Sequence, residues 1–145
     1  MELHMKKRCI SAYVENQIGV LAKISGLFAG KNYNLDTLTV GETEDPTMSR
    51  MTIDLTCDDL TYEQIIKQLN RSVEVIKVID FTDMAITKKE LLFIKVNSCK
   101  EADKQEIFRI AQTFDLLVVD YNRKSVLVQC VKTVSKNNDM IALFK

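Results

Sequence analysis

The chain has 145 residues, of which 46% are hydrophobic and 28% are charged. This composition is ordinary for a globular protein with one domain or two small ones, and the length is sufficient to bury a core. Twenty basic residues balance twenty acidic residues, so the net charge argues against nucleic acid or an anionic membrane as the main partner.

The cysteines are widely spaced and accompany a single histidine, His4. Cys9, Cys57, Cys99 and Cys130 lie in or near apolar, strand-like segments and form no C-x-x-C pair. Free cysteines in such segments usually behave as small buried hydrophobes, so we expect reduced thiols and no metal site. No apolar stretch has the length of a membrane span, and no signal-peptide core follows the N-terminus. The sequence therefore predicts a cytoplasmic protein.

The first predicted elements are a strand over Cys9–Val14 and a helix that begins after Gly19. The strand is predicted from its length and apolar content. After Gly19, apolar residues recur with the spacing of one helical face, namely Val20, Leu21, Ile24, Leu27 and Phe28. The segment Glu15–Gly19 therefore joins a strand to a helix through a small polar elbow.

This elbow is a candidate anion-binding site. A helix N-terminus carries unpaired N–H groups and a partial positive charge, so the backbone of Gln17–Leu21 is suited to a carboxylate or a phosphate. Gly19 permits close approach because it has no Cβ. Asn16 is able to cap the turn or to face a ligand with its amide. Taken alone, such an elbow is more often an ordinary strand-to-helix turn than a binding site.

The next segments complete one small domain. In chain order they are a turn at Lys31–Asn34, a strand at Leu35–Glu42, a loop at Thr43–Thr47, a strand at Met48–Cys57, a helix from Asp58 or Asp59, and a strand at Val73–Phe81. Both middle strands alternate polar with apolar residues, as half-buried strands do. The order β-α-β-β-α-β predicts a four-stranded sheet with two helices on one face, the ferredoxin-like arrangement.

The same pattern starts again in the second half. We predict strands at Leu91–Val96, Leu116–Asp120 and Val126–Val131, and helices at Lys100–Thr113 and Val134–Phe144. A closing strand is missing, which fits a naturally short chain, a truncated one, or a sheet edge that a partner covers. With the boundary in Thr82–Lys89, the domains are residues 8–83 and 84–145. The predicted fold class is α+β, with two tandem ferredoxin-like halves, the second incomplete.

Four fragments of the first half occur in a specific order and spacing. They are Glu15-Asn16-x-x-Gly19-x-Leu21, Gly26-Leu27-Phe28, Tyr33 to Val40 (YNLDTLTV) and Asp45 to Thr52 (DPTMSRMT). Together they resemble the ACT domain of the small regulatory subunits of acetolactate synthase (acetohydroxyacid synthase), over about Cys9–Asp83. The segments Glu90–Val96 and Glu106–Arg109 resemble the C-terminal domain of that family more loosely.

The resemblance implies a regulatory, non-catalytic subunit that stimulates the large subunit of acetolactate synthase. It implies a homodimer whose paired ACT domains bind valine or another branched-chain amino acid for feedback inhibition. Thiamine diphosphate, Mg²⁺ and FAD are then expected in the large subunit and not in this chain. The implied effector-binding residues are Asn16, Gln17, Ile18, Gly19, Val20, Leu21 and, from across the pair, Asn34. Ile18, Val20 and Leu21 are expected to supply an apolar wall.

Two positions depart from the family and two other functions stay open. Asn32 stands where relatives often have glycine, which the tolerance of asparagine for positive φ makes acceptable. Gly41 stands where they often have alanine, close to the strand that lines the site, and this leaves the effector affinity or preference open. One alternative is a free-standing ACT sensor without an acetolactate synthase partner. The other is a small enzyme of the acylphosphatase type, which needs an anion-binding loop with a nearby arginine and asparagine. Asn16 or Asn34 would supply the asparagine, but the elbow has no arginine. The sequence also lacks a glycine-rich phosphate loop and a G-x-S-x-G motif.

Overall fold

The computed structural model describes residues 4–30 and 33–145. The chain divides into two compact units, Met1–Ile86 and Thr87–Lys145, and each unit has its own sheet and its own hydrophobic core. Among the described residues, none of the helices is long and apolar enough to cross a membrane.

The first unit has the predicted order of elements. It contains β1 (Lys6–Glu15), α1 (Val20–Gly30), β2 (Leu35–Glu42), β3 (Met48–Cys57), α2 (Asp59–Arg71) and β4 (Val75–Asp80). The strands lie in the order β2-β3-β1-β4, and all neighbours are antiparallel. This topology is the ferredoxin-like arrangement, so the predicted fold class is confirmed.

The alternation in β3 determines which face of the first sheet is covered. Met51, Ile53, Leu55 and Cys57 are buried in the core, while the residues between them are more exposed. The helices cover that face with Ile24 and Phe28 of α1 and with Ile65 and Leu69 of α2. α2 begins where predicted because the Asp58 side chain accepts a hydrogen bond from the Thr61 N–H.

β1 begins three residues earlier than predicted. Its first residues, Lys6 to Arg8, pair with Cys57 to Leu55 of β3. Arg8 is only 7% exposed, because its guanidinium lies 4.7 Å from the centre of the Tyr62 ring and forms an ion pair with Asp59. Strands are predicted from their apolar residues, and the buried residue at this end of β1 is an arginine. The sequence pattern therefore missed the start of the strand.

The second unit has three strands and two helices. It contains β5 (Glu90–Val96), α3 (Glu101–Thr113), β6 (Leu117–Tyr121), β7 (Val126–Lys132) and α4 (Val134–Leu143). The strand order is β5-β7-β6, so β5 has a neighbour on one side only among the described residues. The buried Asn137 of α4 donates a hydrogen bond to the Glu90 carbonyl at 3.1 Å. This bond fixes α4 to the start of β5.

All four cysteines are buried, as predicted, and none forms a disulfide with another described residue. Burial raises the pKa of the Cys57 and Cys130 thiols above the ordinary value. Both groups are therefore protonated near neutral pH and act as small apolar side chains.

Candidate functional site

The elbow between β1 and α1 depends on the backbone conformation of Gly19. Its φ angle is +84°, in the left-handed region that favours glycine. A Cβ at this position would meet nothing within 4 Å. Glycine is therefore favoured here by the backbone turn and not by crowding within the chain, and the space above it is open to a ligand.

The elbow leaves backbone donors free. Within the described residues, four N–H groups have no acceptor, namely those of Ile18, Gly19, Leu21 and Ala22. The first helical bond of α1 runs from the Lys23 N–H to the Gly19 carbonyl, at 3.0 Å. These donors lie at the positive end of the helix dipole, so this geometry is suited to a carboxylate or another small anion.

Asn16 connects the elbow to the hairpin between β2 and β3. Its N–H donates to the Thr47 carbonyl at 2.8 Å. Its side-chain Nδ2 donates to the Pro46 carbonyl at 2.9 Å and to Glu42 Oε2 at 3.2 Å. Because both partners are acceptors, the amide nitrogen must point at them, and Oδ1 remains as an acceptor. Asn16 therefore holds the hairpin, and within the described residues its side chain forms no capping hydrogen bond to the turn.

The hairpin that receives Asn16 is ordered by Asp45. The Asp45 carboxylate accepts hydrogen bonds from the hydroxyl of Thr47 at 2.7 Å and from its N–H at 2.9 Å. These two bonds hold the pKa of Asp45 below its usual range. The ionised carboxylate thus keeps Pro46 and Thr47 in place, and they in turn position the Asn16 backbone and side chain.

The other side of the elbow is braced by Glu74, which precedes β4. The Glu74 carbonyl accepts a hydrogen bond from the Glu15 N–H at 2.9 Å. Its carboxylate forms an ion pair with Lys23 of α1 at 2.6 Å. The Lys23 ammonium lowers the pKa of this carboxyl. Glu15 at the end of β1 and Lys23 in the first turn of α1 are therefore both tied to Glu74.

The three apolar residues predicted to form a wall have different environments. Val20 is only 5% exposed and packs in the core, so only its backbone borders the elbow. Ile18 is fully exposed and Leu21 is 48% exposed. Of these three residues, Ile18 and Leu21 therefore provide the apolar surface at the elbow.

Asn34 does not lie beside the elbow. It immediately precedes β2 and borders a hollow of about 320 Å³ with Tyr33, Thr56 and Asp58 among its walls. The elbow contacts Glu42 at the other end of this eight-residue strand, roughly 23 Å away at the usual rise per residue. One chain thus brings together Asn16 to Leu21 but not Asn34.

Glu42 and Pro46 are contacts of the elbow that the sequence did not reveal. They follow Asn16 by 26 and 30 residues, and only the pairing of β2, β3 and β1 brings them together. At Gly41, a Cβ would meet nothing within 4 Å, so alanine would fit there as well. Asn32 lies outside the described residues.

Family models match both units of the chain. The AHAS small subunit-like ACT domain matches residues 10–77. The small subunit of acetolactate synthase matches residues 89–145. The chain belongs to the acetolactate synthase small subunit family. The resemblance stated above is thereby confirmed, and membership implies a regulatory subunit with a catalytic large subunit as its partner.

Individual members of this family match over nearly the whole chain. The acetolactate synthase small subunit of Aquifex aeolicus is 40% identical over 141 residues, which are 97% of this chain and 73% of that protein. The Bacillus subtilis small subunit is 39% identical over 96% of this chain and 81% of its own length. The crystal structure of the Thermotoga maritima small subunit superposes with a TM-score of 0.87 at 35% identity, covering 95% of this chain and 86% of that one.

Proposed function

We propose that this acetolactate synthase small subunit is a feedback regulator that binds valine or another branched-chain amino acid at the elbow. The proposal rests chiefly on the four free N–H groups around Gly19 at the start of α1, which suit the carboxylate of an amino acid. Ile18 and Leu21 offer exposed apolar surface for its side chain. Residues 8–83 are the amino-acid-binding domain and residues 84–145 form the second domain.

A second copy of the chain completes the site in this proposal. Among the described residues β2 is an edge strand, and its apolar residues Leu38 and Val40 are each 39% exposed. Antiparallel pairing of β2 with β2 of another copy places the Asn34 end of one strand beside the Glu42 end of the other. Glu42 contacts Asn16 in its own chain, so the elbow of one copy would meet Asn34 of its partner.

In this function, catalysis belongs to the large subunit, together with thiamine diphosphate, Mg²⁺ and FAD. This chain then binds the large subunit, stimulates its activity and makes that activity depend on whether the effector is bound. Effector binding changes the conformational equilibrium of the complex only if the effector binds one state more tightly than the other. A ligand shifts an equilibrium by its difference in affinity for the two states.

Reconstitution with the cognate large subunit tests this function. We expect the chain alone to make no acetolactate from pyruvate, because the proposal gives it a binding role and no cofactor. Added to the large subunit, it should raise the rate of acetolactate formation and make that rate fall when valine, leucine or isoleucine is added. Calorimetric titration of the same three amino acids into the isolated chain identifies the effector.

Two results would contradict parts of this proposal. An unchanged rate together with an unchanged valine response would remove the regulatory role. If the chain bound a branched-chain amino acid yet left the large subunit unaffected, the free-standing sensor would be the better description.

A further inference from the structure

The Glu42 carboxylate, at the end of β2, has a single contact with the elbow. Its Oε2 accepts a hydrogen bond from Asn16 Nδ2 at 3.2 Å. Glu42 is exposed, and within the described residues it forms no ion pair. A full negative charge therefore lies beside Asn16, and the free N–H groups of Ile18 and Gly19 follow two and three residues later in the chain.

The two charges of an α-amino acid need opposite partners within a short distance. Its carboxylate and its ammonium are both bonded to the same Cα. The positive end of α1 suits the carboxylate but would repel the ammonium. The ammonium therefore needs an acceptor beside the elbow and away from the helix end, and a carboxylate is the strongest acceptor among protein side chains.

We propose that Glu42 is a specificity-determining residue that binds the effector's ammonium group and thereby selects amino acids over the corresponding 2-oxo acids. This inference rests on the proposed function of the elbow. Glu42 also keeps the Asn16 amide nitrogen turned toward the hairpin, so that Asn16 Oδ1 is available as a second acceptor for the ammonium. A 2-oxo acid has the same carboxylate and side chain but no ammonium, and it leaves the Glu42 charge uncompensated next to its own carboxylate.

The test compares valine with 3-methyl-2-oxobutanoate, which has a carbonyl oxygen where valine carries its ammonium group. Their affinities are measured by calorimetry on the unmodified chain, on Glu42→Gln and on Glu44→Gln. The side-chain amide introduced by Glu42→Gln retains an oxygen that accepts from Asn16, so the orientation of Asn16 is preserved while the charge is removed. Glu44→Gln removes the same charge two residues along the exposed hairpin.

We expect the unmodified chain to prefer valine. Glu42→Gln should weaken valine binding by about tenfold to a hundredfold, the effect of losing a charge-assisted hydrogen bond. The affinity for the oxo acid should stay the same or increase. Glu44→Gln should change neither affinity by more than about twofold, as expected for a screened surface charge.

The outcomes separate this inference from the function on which it rests. If the unmodified chain bound neither ligand, the proposed function would fail and the role of Glu42 with it. If it bound valine and Glu42→Gln bound valine equally tightly, only the role of Glu42 would fail. Equal losses of valine affinity in Glu42→Gln and Glu44→Gln would also overturn that role, because the effect would then be one of general charge.

Discussion

At the scale of single residues, the backbone angle of Gly19 sets the chemistry of the elbow. A φ of +84° turns the chain so that α1 begins with its N–H groups facing open space. A side chain is tolerated there sterically, since a Cβ would meet nothing within 4 Å, but it is strained conformationally. Asparagine and aspartate tolerate this region better than most residues, which makes a matched pair of substitutions possible.

We predict that Gly19→Asp weakens valine binding by about tenfold or more, while Gly19→Asn has a clearly smaller effect. Both variants carry the same backbone strain and nearly the same volume, so their difference reports the charge alone. The Asp carboxylate would compete with the ligand's carboxylate for the free N–H groups, and a charge-assisted hydrogen bond contributes about 1.5 to 3 kcal/mol. Calorimetry measures the affinities.

Folding is checked by circular dichroism. Lys67→Ala, on the exposed side of α2, serves as a remote control and should bind valine like the unmodified chain. If Gly19→Asp bound valine as tightly as the unmodified chain while remaining folded, the elbow would not be the effector site.

Tyr62 has a buried hydroxyl that lacks a hydrogen-bond partner among the described residues. The residue is 8% exposed, and no described residue reaches hydrogen-bond geometry with its Oη. Asp80 and Thr82 lie near enough to act on its ionisation, but burial is the main cause that raises the pKa of Tyr62. The ring has a structural role of its own, because the Arg8 guanidinium lies over it at 4.7 Å.

We predict that Tyr62→Phe leaves the free energy of unfolding unchanged or raises it by up to about 1 kcal/mol. The substitution keeps the ring beneath Arg8 and removes a hydroxyl that is costly to bury unpaired. Urea unfolding measures the effect. Tyr33→Phe is the control, since the Tyr33 hydroxyl donates to Gln64 at the exposed surface. A loss of more than about 1 kcal/mol for Tyr62→Phe would show that its hydroxyl is hydrogen-bonded in solution.

At the scale of elements, the sequence was most informative where one face of a strand or helix is buried. The bounds of β2 and β3 were predicted without error because polar and apolar residues alternate and a proline turn separates them. β4 is shorter than predicted at its start, since the apolar Val73 is 85% exposed and lies outside the strand. Hydrophobicity alone does not distinguish a buried residue from an exposed one.

The elbow was predictable as a strand-to-helix turn, but its connections were not. Asparagine is a common capping residue, so Asn16 fitted a cap. Nothing in the local sequence indicated Glu42 and Pro46 as its partners. Those contacts are fixed by tertiary pairing across 26 and 30 residues. Likewise, the distance between Asn34 and the elbow follows from β2 and β1 running in the same direction on either side of β3.

The open side of β5 leads to a prediction for hydrogen exchange. β5 pairs only with β7 among the described residues, so every second N–H of β5 points away from a partner strand. We expect these amides to exchange at least about tenfold faster than those of β3, which lies between two strands. Amide exchange followed by NMR on the whole chain distinguishes alternate residues. Uniform slow exchange along β5 would mean that another segment or another copy covers this edge in solution.

At the scale of the whole molecule, a site completed by two copies makes assembly and effector binding inseparable. Because each effector would contact the elbow of one copy and Asn34 of the other, valine should stabilise the dimer, and dilution should weaken valine binding. The isolated subunit would then respond to both its own concentration and that of the effector. Such linkage does not exist if each chain holds a complete site.

We predict that Val40→Lys converts the chain to a monomer at micromolar concentration and lowers its affinity for valine by about tenfold or more. Lysine on an edge strand opposes pairing with another strand, both by charge and by the cost of desolvating an ammonium. Val40 is 39% exposed in the single chain, so the fold should survive the substitution.

Val73→Lys is the control, since it places the same charge on an 85% exposed valine outside β2. Sedimentation velocity with and without valine measures assembly. A single species of 16.6 kDa for the unmodified chain in both conditions, with valine still bound, would show that one copy suffices and that β2 is not the interface.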